Sequence, residues 1–574
     1  MFREYPRAAA AAAVLWLMGA FFGVSFIRSA AATYDEPVHL ASGYSYWLPG
    51  RYRLNVSDHP PLAEMWAALP LLAMRPGFNR AHPDWIRMRR YPFADAFLYQ
   101  NRIPPGMMLN AARLFSFLTL FAALGAMLFA WGMRLGGPGA AVGAVGAAAL
   151  TPVLFSNLAL VTTDGLPAVA YFAVFFLLSD RPLTRRRFAA AGAAAGAALA
   201  AKFSMIVLPV FAAGILLVDR GMLAREAREE VAGSRESRKR RKGERRIAVS
   251  GFDWPGLLLA AGVCAAVIAA AYRVAQLDLF FEGLRATLRR LGGDRASYLM
   301  GAHSVKGFAL YFPIALSVKT PLVVLGLAVG AALAWGRKPD RRVLWALLPG
   351  LAYFATALTS KLQIGVRHLL PMMPFLCLWA GCAWGRLWDR AGGLRAIACA
   401  SALWCLVSVG LVHPHYLAYF NEIAGGMNGG HRWLADSNLD WGQDLEGLGR
   451  LLRSMGSPPI YLSYFGVADP SAYGIRFVPI VRNWNVPREG DAVDPAASGR
   501  VLYAISATMR ATVYEPDKTM FDWLKTRTPA ATIGGSLFLY DLTRDPEARM
   551  ELARLAVRAE APNAAGLARS LLLQ

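Results

Sequence analysis

Apolar stretches long enough to cross about 30 Å of hydrocarbon recur along this chain of 574 residues, and they constrain it more than any motif does. They begin near Ala8, Asn110, Pro138, Asp164, Phe188, Phe203, Trp254, Phe312, Val343, His368 and Arg395, which predicts about eleven transmembrane helices. Backbone groups in hydrocarbon must be satisfied within the segment, so apolar runs of this length fold as helices. Composition agrees: 56% of residues are hydrophobic and only 17% charged, the balance of a membrane protein rather than a soluble one.

The connections assign an orientation. Arg3 and Arg7, Arg134, RPLTRRR from Arg181, the run RESRKRRKGERR from Arg235, RKPDRR from Arg337 and RLWDRAGGLR from Arg386 all fall on one side if the amino terminus is cytoplasmic. That is the bias expected of cytoplasmic loops. The net charge of +23 is thereby assigned to loops beside anionic lipid, and a nucleic-acid partner is excluded. A bacterial-type inner (plasma) membrane location follows. Residues 1–413 are predicted as the transmembrane domain, with outer loops 31–109 and 276–311 and a cytoplasmic basic loop 219–253; 414–574 is predicted as an extracytoplasmic α/β domain. The first span ends RSAAATYDEP, with an Ala-x-Ala stretch of signal-peptidase type, and is read as an uncleaved anchor because ten more spans follow. The five cysteines all lie in apolar spans and read as small buried hydrophobes. Within the tail, PPIYLSYFG, GRVLYAISAT and GGSLFLYDL read as buried strands, and FDWLKTRTP and DPEARMELARLAVRAE as helices.

Chemistry concentrates on the predicted outer side. YDEPVHL places Asp35 and Glu36 directly after the first span, opening a short helix from Glu36 to Trp47 that is expected at the membrane surface, with His39 facing the interface. SDHPPL offers Ser57 or Asp58 as the cap of a helix from Leu62 to Leu72, and leaves His59 without a structural role. Asp164, in VTTDGLP, is an acid at the edge of an apolar span, either an N-cap or a site residue. Lys202, Lys319, Arg367 and His368 lie at predicted outer ends of spans, where lysines also snorkel to headgroups and where an arginine can grip phosphate with two parallel bonds. Arg289 and Arg290 read as a solvated face, and His303 and Lys306 as weaker candidates. In LADSNLDWGQDLEGLGRLL, Asn438 or Asp440 would cap a helix whose apolar face is Leu445, Leu448 and Leu452; the polar residues around Trp441 exceed what a cap needs.

Taken in order, the acidic pair after the first span, DHPPL about twenty residues later, LVTTDGLPAVAYF, LAAKFSMIVLP, SKLQIGVRHLLPMMPFL and HPHYLAYFNEIAGG with DSNLDWGQDL resemble family 39-like glycosyltransferases. These are the relatives of protein O-mannosyltransferases and aminoarabinose transferases with the polytopic, mostly α GT-C fold. The resemblance covers most of 1–450 and implies an inverting transfer of sugar from a polyprenyl-phosphate carrier to a hydroxyl on a protein, lipid or glycan acceptor at the outer face. It implies Asp35 as base, with Glu36 orienting it, binding sugar hydroxyls or helping to hold a cation, and Asp164 in the site. His59, Lys202, Lys319, Arg367 and His368 would bind the donor phosphate and sugar, and Asp58, Asn438, Asp440, Trp441 and Gln443 the sugar or acceptor. No cofactor is demanded, and room is left for a divalent metal. A lipid-linked sugar flippase would need paired intramembrane charges and internal repeats; an oligosaccharide ligase or polymerase would keep a basic cavity without needing the Asp35–Glu36 pair.

Overall fold

The structure is a computed structural model describing residues 4–180, 182–236, 253–290, 292–337, 340–483 and 485–573. Most of the basic run from Arg235 lies outside the described residues.

Among the described residues six helices are long and apolar enough to cross a membrane: Pro6–Ser29, Pro105–Ala149, Phe203–Leu223, Trp254–Ala271, Val366–Trp388 and Gly393–Gly410. The spans predicted from Asn110 and Pro138 fall in one continuous 45-residue segment, interrupted where Gly137 turns to φ +75° just before Pro138. Proline removes a helix hydrogen bond and glycine tolerates the left-handed turn, so the dipeptide breaks one helix into two arms. The spans predicted from Asp164, Phe188 and Phe312 are shorter as helices: Gly165–Leu178, Arg185–Leu199, and the pair Tyr311–Lys319 and Leu322–Arg337. Fourteen helical residues reach only about 21 Å. Above Gly165 the chain continues as the non-helical turn Leu160–Asp164, all of it buried. Irregular backbone at such depth is tolerated where protein surrounds it.

The 45-residue segment is the central post, packed on Pro6–Ser29 and on Met373–Trp388. The second contact is very close: a Cβ on Gly381 would lie 2.1 Å from the Ala144 nitrogen. Small residues facing each other let helix backbones approach in this way.

The helix Glu36–Trp47 forms as predicted, but it does not lie on a surface. Every residue in it except Trp47 is buried, His39 included, under Leu62–Ala67 and Arg90–Tyr99. The expected helix from Leu62 to Leu72 is two pieces, Leu62–Ala67 and Leu69–Met74, parted at Ala68 just ahead of Pro70. Neither Ser57 nor Asp58 caps the first.

Among the described residues there are seven strands: the hairpin β1 (Ser297–Leu299) and β2 (Ala302–Ser304), then β3 (Ile460–Ser463), β4 (Phe477–Pro479), β5 (Leu502–Ser506), β6 (Ala531–Ile533) and β7 (Leu537–Asp541). The last five make one sheet in the order β4-β3-β5-β7-β6. β4, β3 and β5 run parallel, and β7 and β6 return antiparallel. Their near-continuous apolar composition suits strands buried on both faces. DPEARMELARLAVRAE forms the helix Pro546–Arg558. FDWLKTRTP does not form a helix beyond the 3-10 turn Asp522–Leu524, because Thr526–Pro529 cannot continue it.

The carboxyl ends of β3 and β5 point back at the first loop of the chain. The Ala31 N–H donates to the Gln443 carbonyl at 2.8 Å and the Tyr34 N–H to the Trp441 carbonyl at 2.9 Å, so residues 436–443 lie directly against Asp35.

Candidate active site

Asp35 and Glu36 are adjacent in sequence and opposite in circumstance. Glu36 is completely buried and accepts five hydrogen bonds: from the Thr33 N–H and hydroxyl, both at 2.9 Å, from Arg113 Nε at 2.8 Å and Nη2 at 2.5 Å, and from the Val161 N–H at 2.9 Å. Burial opposes its ionisation, but the Arg113 guanidinium outweighs that and holds the carboxyl below the usual range. Arg113 also donates to the Ala30 and Ala31 carbonyls, each at 2.8 Å. Glu36 is therefore a bracket joining the first loop, the central helix and the Val161 turn. The sugar-contact, cation and Asp35-orienting roles expected of it are corrected, since its lone pairs are taken. Replacing Arg113 by Met strands that carboxylate, and about 3–5 kcal/mol of stability is expected to be lost. Thermal unfolding of the purified chain measures it.

Asp35 is turned the other way. Its side chain is 28% exposed, against 3% for Asp164, 11% for Arg367 and 15% for Lys202. The Tyr91 hydroxyl donates to its Oδ1 at 3.3 Å, and Arg367 Nη1 stands 3.8 Å from its Oδ2. The same Nη1 lies 3.4 Å from Asp164 Oδ2, and the other Asp164 oxygen is paired with the Lys202 ammonium. Asp164 occupies the N-cap position of Gly165–Leu178 yet makes no side-chain cap bond. Arg367 is fixed from two further sides: its Nε donates to Ser437 Oγ at 3.1 Å, and its guanidinium lies 4.1 Å over the Trp441 ring. Asp35, Asp164, Lys202 and Arg367 are thus one cluster, drawn from four parts of the chain.

Gly365 sets how closely the Arg367 segment docks. A Cβ there would lie 2.2 Å from Ser437 Oγ. Gly365→Ala is expected to displace Ser437, and with it the bond to Arg367 Nε, and so lower turnover about tenfold or more; steady-state rates are the check.

His59 sits beside this cluster, with its Nδ1 3.2 Å from Thr163 Oγ1. Its ring meets His39 edge-on at 5.3 Å. Burial, then the charges on His39 and Lys202, push His59 well below the ordinary histidine range, leaving a neutral imidazole. His39, expected at the interface, is instead bonded at 2.7 Å to the buried Glu64, which also accepts from Asn55 at 2.6 Å. His368 adjoins Arg367, and among the described residues its buried Nε2 has no hydrogen-bond partner.

Other expected contacts fall elsewhere. Lys319 is buried away from the cluster, donating to the Leu417 and Asn438 carbonyls and resting on Phe420. Asp58 is gripped by Arg90 and Arg290, and Arg290 makes that ion pair while remaining on an exposed helix face. His303 bonds to the Ala511 carbonyl at 2.7 Å. Asn438 caps nothing: it accepts from the Val366 N–H at 2.8 Å and donates to Tyr311. Asp440 accepts from the Thr508 N–H at 2.7 Å, and burial pushes its carboxyl up to about 7. Gln443 accepts from the Trp441 N–H and donates to the Leu439 carbonyl, both at 2.9 Å. These three shape the loop; of that group only Trp441 touches the cluster, through Arg367. Tyr91 is an addition that no sequence motif indicated; Asp436 and Ser437 open the stretch DSNLDWGQDL, but nothing in it marks them apart from their polar neighbours.

Among the described residues no group of three or more His, Cys, Asp or Glu side chains is placed to hold a metal ion. Asp35 and Asp164, the carboxylates nearest each other in the cluster, have the Arg367 guanidinium between them. The donor set does not fit a resident divalent ion, and cationic side chains occupy the positions it would take.

No family model matches the chain, and no curated protein matches it. Solved structures do. The chain is similar along most of its length to ArnT from Cupriavidus metallidurans. The apo form of that protein shares 15% identity over 93% of this chain and 98% of the other, with a TM-score of 0.48. The form bound to undecaprenyl phosphate shares 15% identity over 95% and 99%, with a TM-score of 0.46. The archaeal oligosaccharyltransferase AglB from Archaeoglobus fulgidus, in complex with an inhibitory peptide and a dolichol-phosphate, shares 11% identity over 91% of this chain and 72% of the other, with a TM-score of 0.42.

Proposed function

We propose that the chain is an integral membrane glycosyltransferase of GT-C type, taking a sugar from a polyprenyl-phosphate carrier and placing it, with inversion, on an acceptor hydroxyl at the extracytoplasmic face. The observation that carries this is one partly exposed carboxylate, Asp35, facing a guanidinium and an ammonium held on a second, buried carboxylate. An alcohol needs a positioned base to attack at neutral pH. A departing phosphate needs positive charge in a water-poor setting more than it needs an acid.

The steps follow from that division. An Asp35 oxygen takes the acceptor's hydroxyl proton as the alcohol oxygen bonds to the anomeric carbon. The carbon–phosphate oxygen bond breaks on the opposite face, and its electron pair leaves with the polyprenyl phosphate. The carboxylate also favours the positive character that the sugar carbon develops. Arg367 and Lys202 receive the phosphate charge; Asp164 stores both cations in the resting site, and Ser437 and Trp441 fix the angle of Arg367. Neutral His59 is a further hydrogen-bonding group at the rim. The amino terminus is cytoplasmic on this reading and residues 414–574 extracytoplasmic, with the acceptor a protein, lipid or glycan.

The test is turnover of the purified chain over a panel of labelled polyprenyl-phosphate sugars and hydroxyl acceptors. Release of polyprenyl phosphate with a glycoside of inverted anomeric configuration is expected; a product of retained configuration, or no release from any carrier, overturns the reading.

A further inference from the structure

Asp436 is a third carboxyl group at the cluster, after Asp35 and Asp164, brought there by the loop that leads into the sheet. Its backbone is left-handed, φ +57°, a conformation uncommon for a residue other than glycine. Several bonds impose it: the Asp436 N–H donates to Thr508 Oγ1 at 3.0 Å, and its carbonyl accepts from the Leu439 and Asp440 N–H groups, both at 2.9 Å. The side chain is equally constrained. Oδ1 accepts from the Ser437 N–H at 2.5 Å and Oδ2 from the Tyr514 hydroxyl. Asp436 is buried, and the charged or titratable groups acting on it are Arg367 and Asp35 from the cluster and Tyr34, Tyr311 and Tyr514 around it. The next residue, Ser437, is the one that fixes Arg367 Nε.

We propose that Asp436 is a positioning residue of the transfer reaction, holding the Ser437–Arg367 contact in place through its backbone and drawing the Arg367 guanidinium into the cluster through its charge. This rests on the transferase reading. When Asp436 is ionised, its negative charge adds to those of Asp35 and Asp164 in drawing Arg367 into the cluster. When Asp436 is protonated, that pull vanishes. Burial pushes this carboxyl up to about 6, and the Tyr514 hydroxyl and Arg367 hold it from rising further. The rate therefore gains an acidic limb that belongs to Asp436.

The experiment is the pH profile of kcat and of kcat/KM for the full-length wild type, Tyr514→Phe and Asp436→Asn. The wild-type limb is expected near pH 6. Tyr514→Phe removes a bond that favours the carboxylate, so the midpoint moves up by about one pH unit. Asp436→Asn abolishes the limb near pH 6, leaving only the one that protonation of the base imposes at lower pH, and lowers kcat more than it changes KM. A limb that stays put in Tyr514→Phe overturns the proposal, as does a limb near pH 6 that survives in Asp436→Asn. A second measurement is independent of turnover: thermal unfolding of wild type and Asp436→Asn from pH 4 to 8. A raised carboxyl stabilises the fold fully only below the ordinary carboxylate range, and that stability is lost as pH rises through about 6. The variant should therefore gain on the wild type across that interval, and parallel curves overturn the proposal. If no carrier-linked sugar is turned over, the transferase reading fails, and the catalytic role of Asp436 with it, while the unfolding curves still report whether Asp436 titrates there.

Discussion

Asp35→Asn is expected to reduce turnover about 10²–10⁴-fold, the usual worth of a positioned base. The change is nearly isosteric and the side chain is partly exposed, so the fold should persist. The Tyr91 hydroxyl can still donate to the amide oxygen, which keeps the side chain in place. The loss should fall on kcat, with KM for the carrier-linked sugar little changed, because proton removal belongs to the transition state alone. Wild-type turnover in Asp35→Asn, with folded protein confirmed by its melting curve, removes Asp35 as the base. Raising the pH should not rescue the variant, since no nearby group replaces the lost carboxylate oxygen.

The second large effect is expected at Arg367. Arg367→Lys keeps the charge but loses the planar fork that reaches Asp164 while lying on Trp441 and donating to Ser437. A decrease in kcat of about 10²–10³-fold is expected, comparable to losing one preorganised donor at a developing charge. Arg367→Ala should be worse, because Asp164 then keeps only Lys202. Measuring inhibition by the product, polyprenyl phosphate, separates two roles. If Arg367 serves the leaving group, product affinity weakens along with kcat. Unchanged product affinity with a reduced rate would move Arg367 from the phosphate to the orientation of Asp35.

Much of this architecture was legible in the sequence, for identifiable reasons. Apolar length exposed the helices, since nothing else explains such runs. The sequence could not show how deep the turn Leu160–Asp164 sits, because burial there is set by neighbours rather than by composition. Asp35, Asp164, Lys202 and Arg367 could be named because each is a charge at the edge of an apolar stretch, where a charge needs a reason. The same logic would have found Arg113, a full charge within the apolar run MMLNAARLFSF, and through it the bracket that claims Glu36. Lys319 shows the rule's weak side: it sits at a span edge like the others, but backbone carbonyls satisfy it. Asn438, Asp440 and Gln443 looked like ligand contacts because they surround a tryptophan. Their partners lie from one to more than a hundred residues away, and spacing along the chain cannot reveal them. Asp436 opens the stretch DSNLDWGQDL with nothing to set it apart from its polar neighbours, and Tyr514 had no signal, since a tyrosine in a loop is commonplace.

The two backbone bonds that tie Ala31 and Tyr34 to Gln443 and Trp441 have a bearing on how the protein comes into being. At synthesis rates of about 5–20 residues per second, roughly twenty seconds to over a minute separates the emergence of one side of that seam from the other. Through that interval the nascent chain already carries Asp35 but not the loop that aims Arg367 at it. On the transferase reading, a chain halted before that loop holds Asp35 without Ser437 and Trp441, the residues that fix Arg367, and is expected to be inactive. The seam closes only when more than three quarters of the chain has been made.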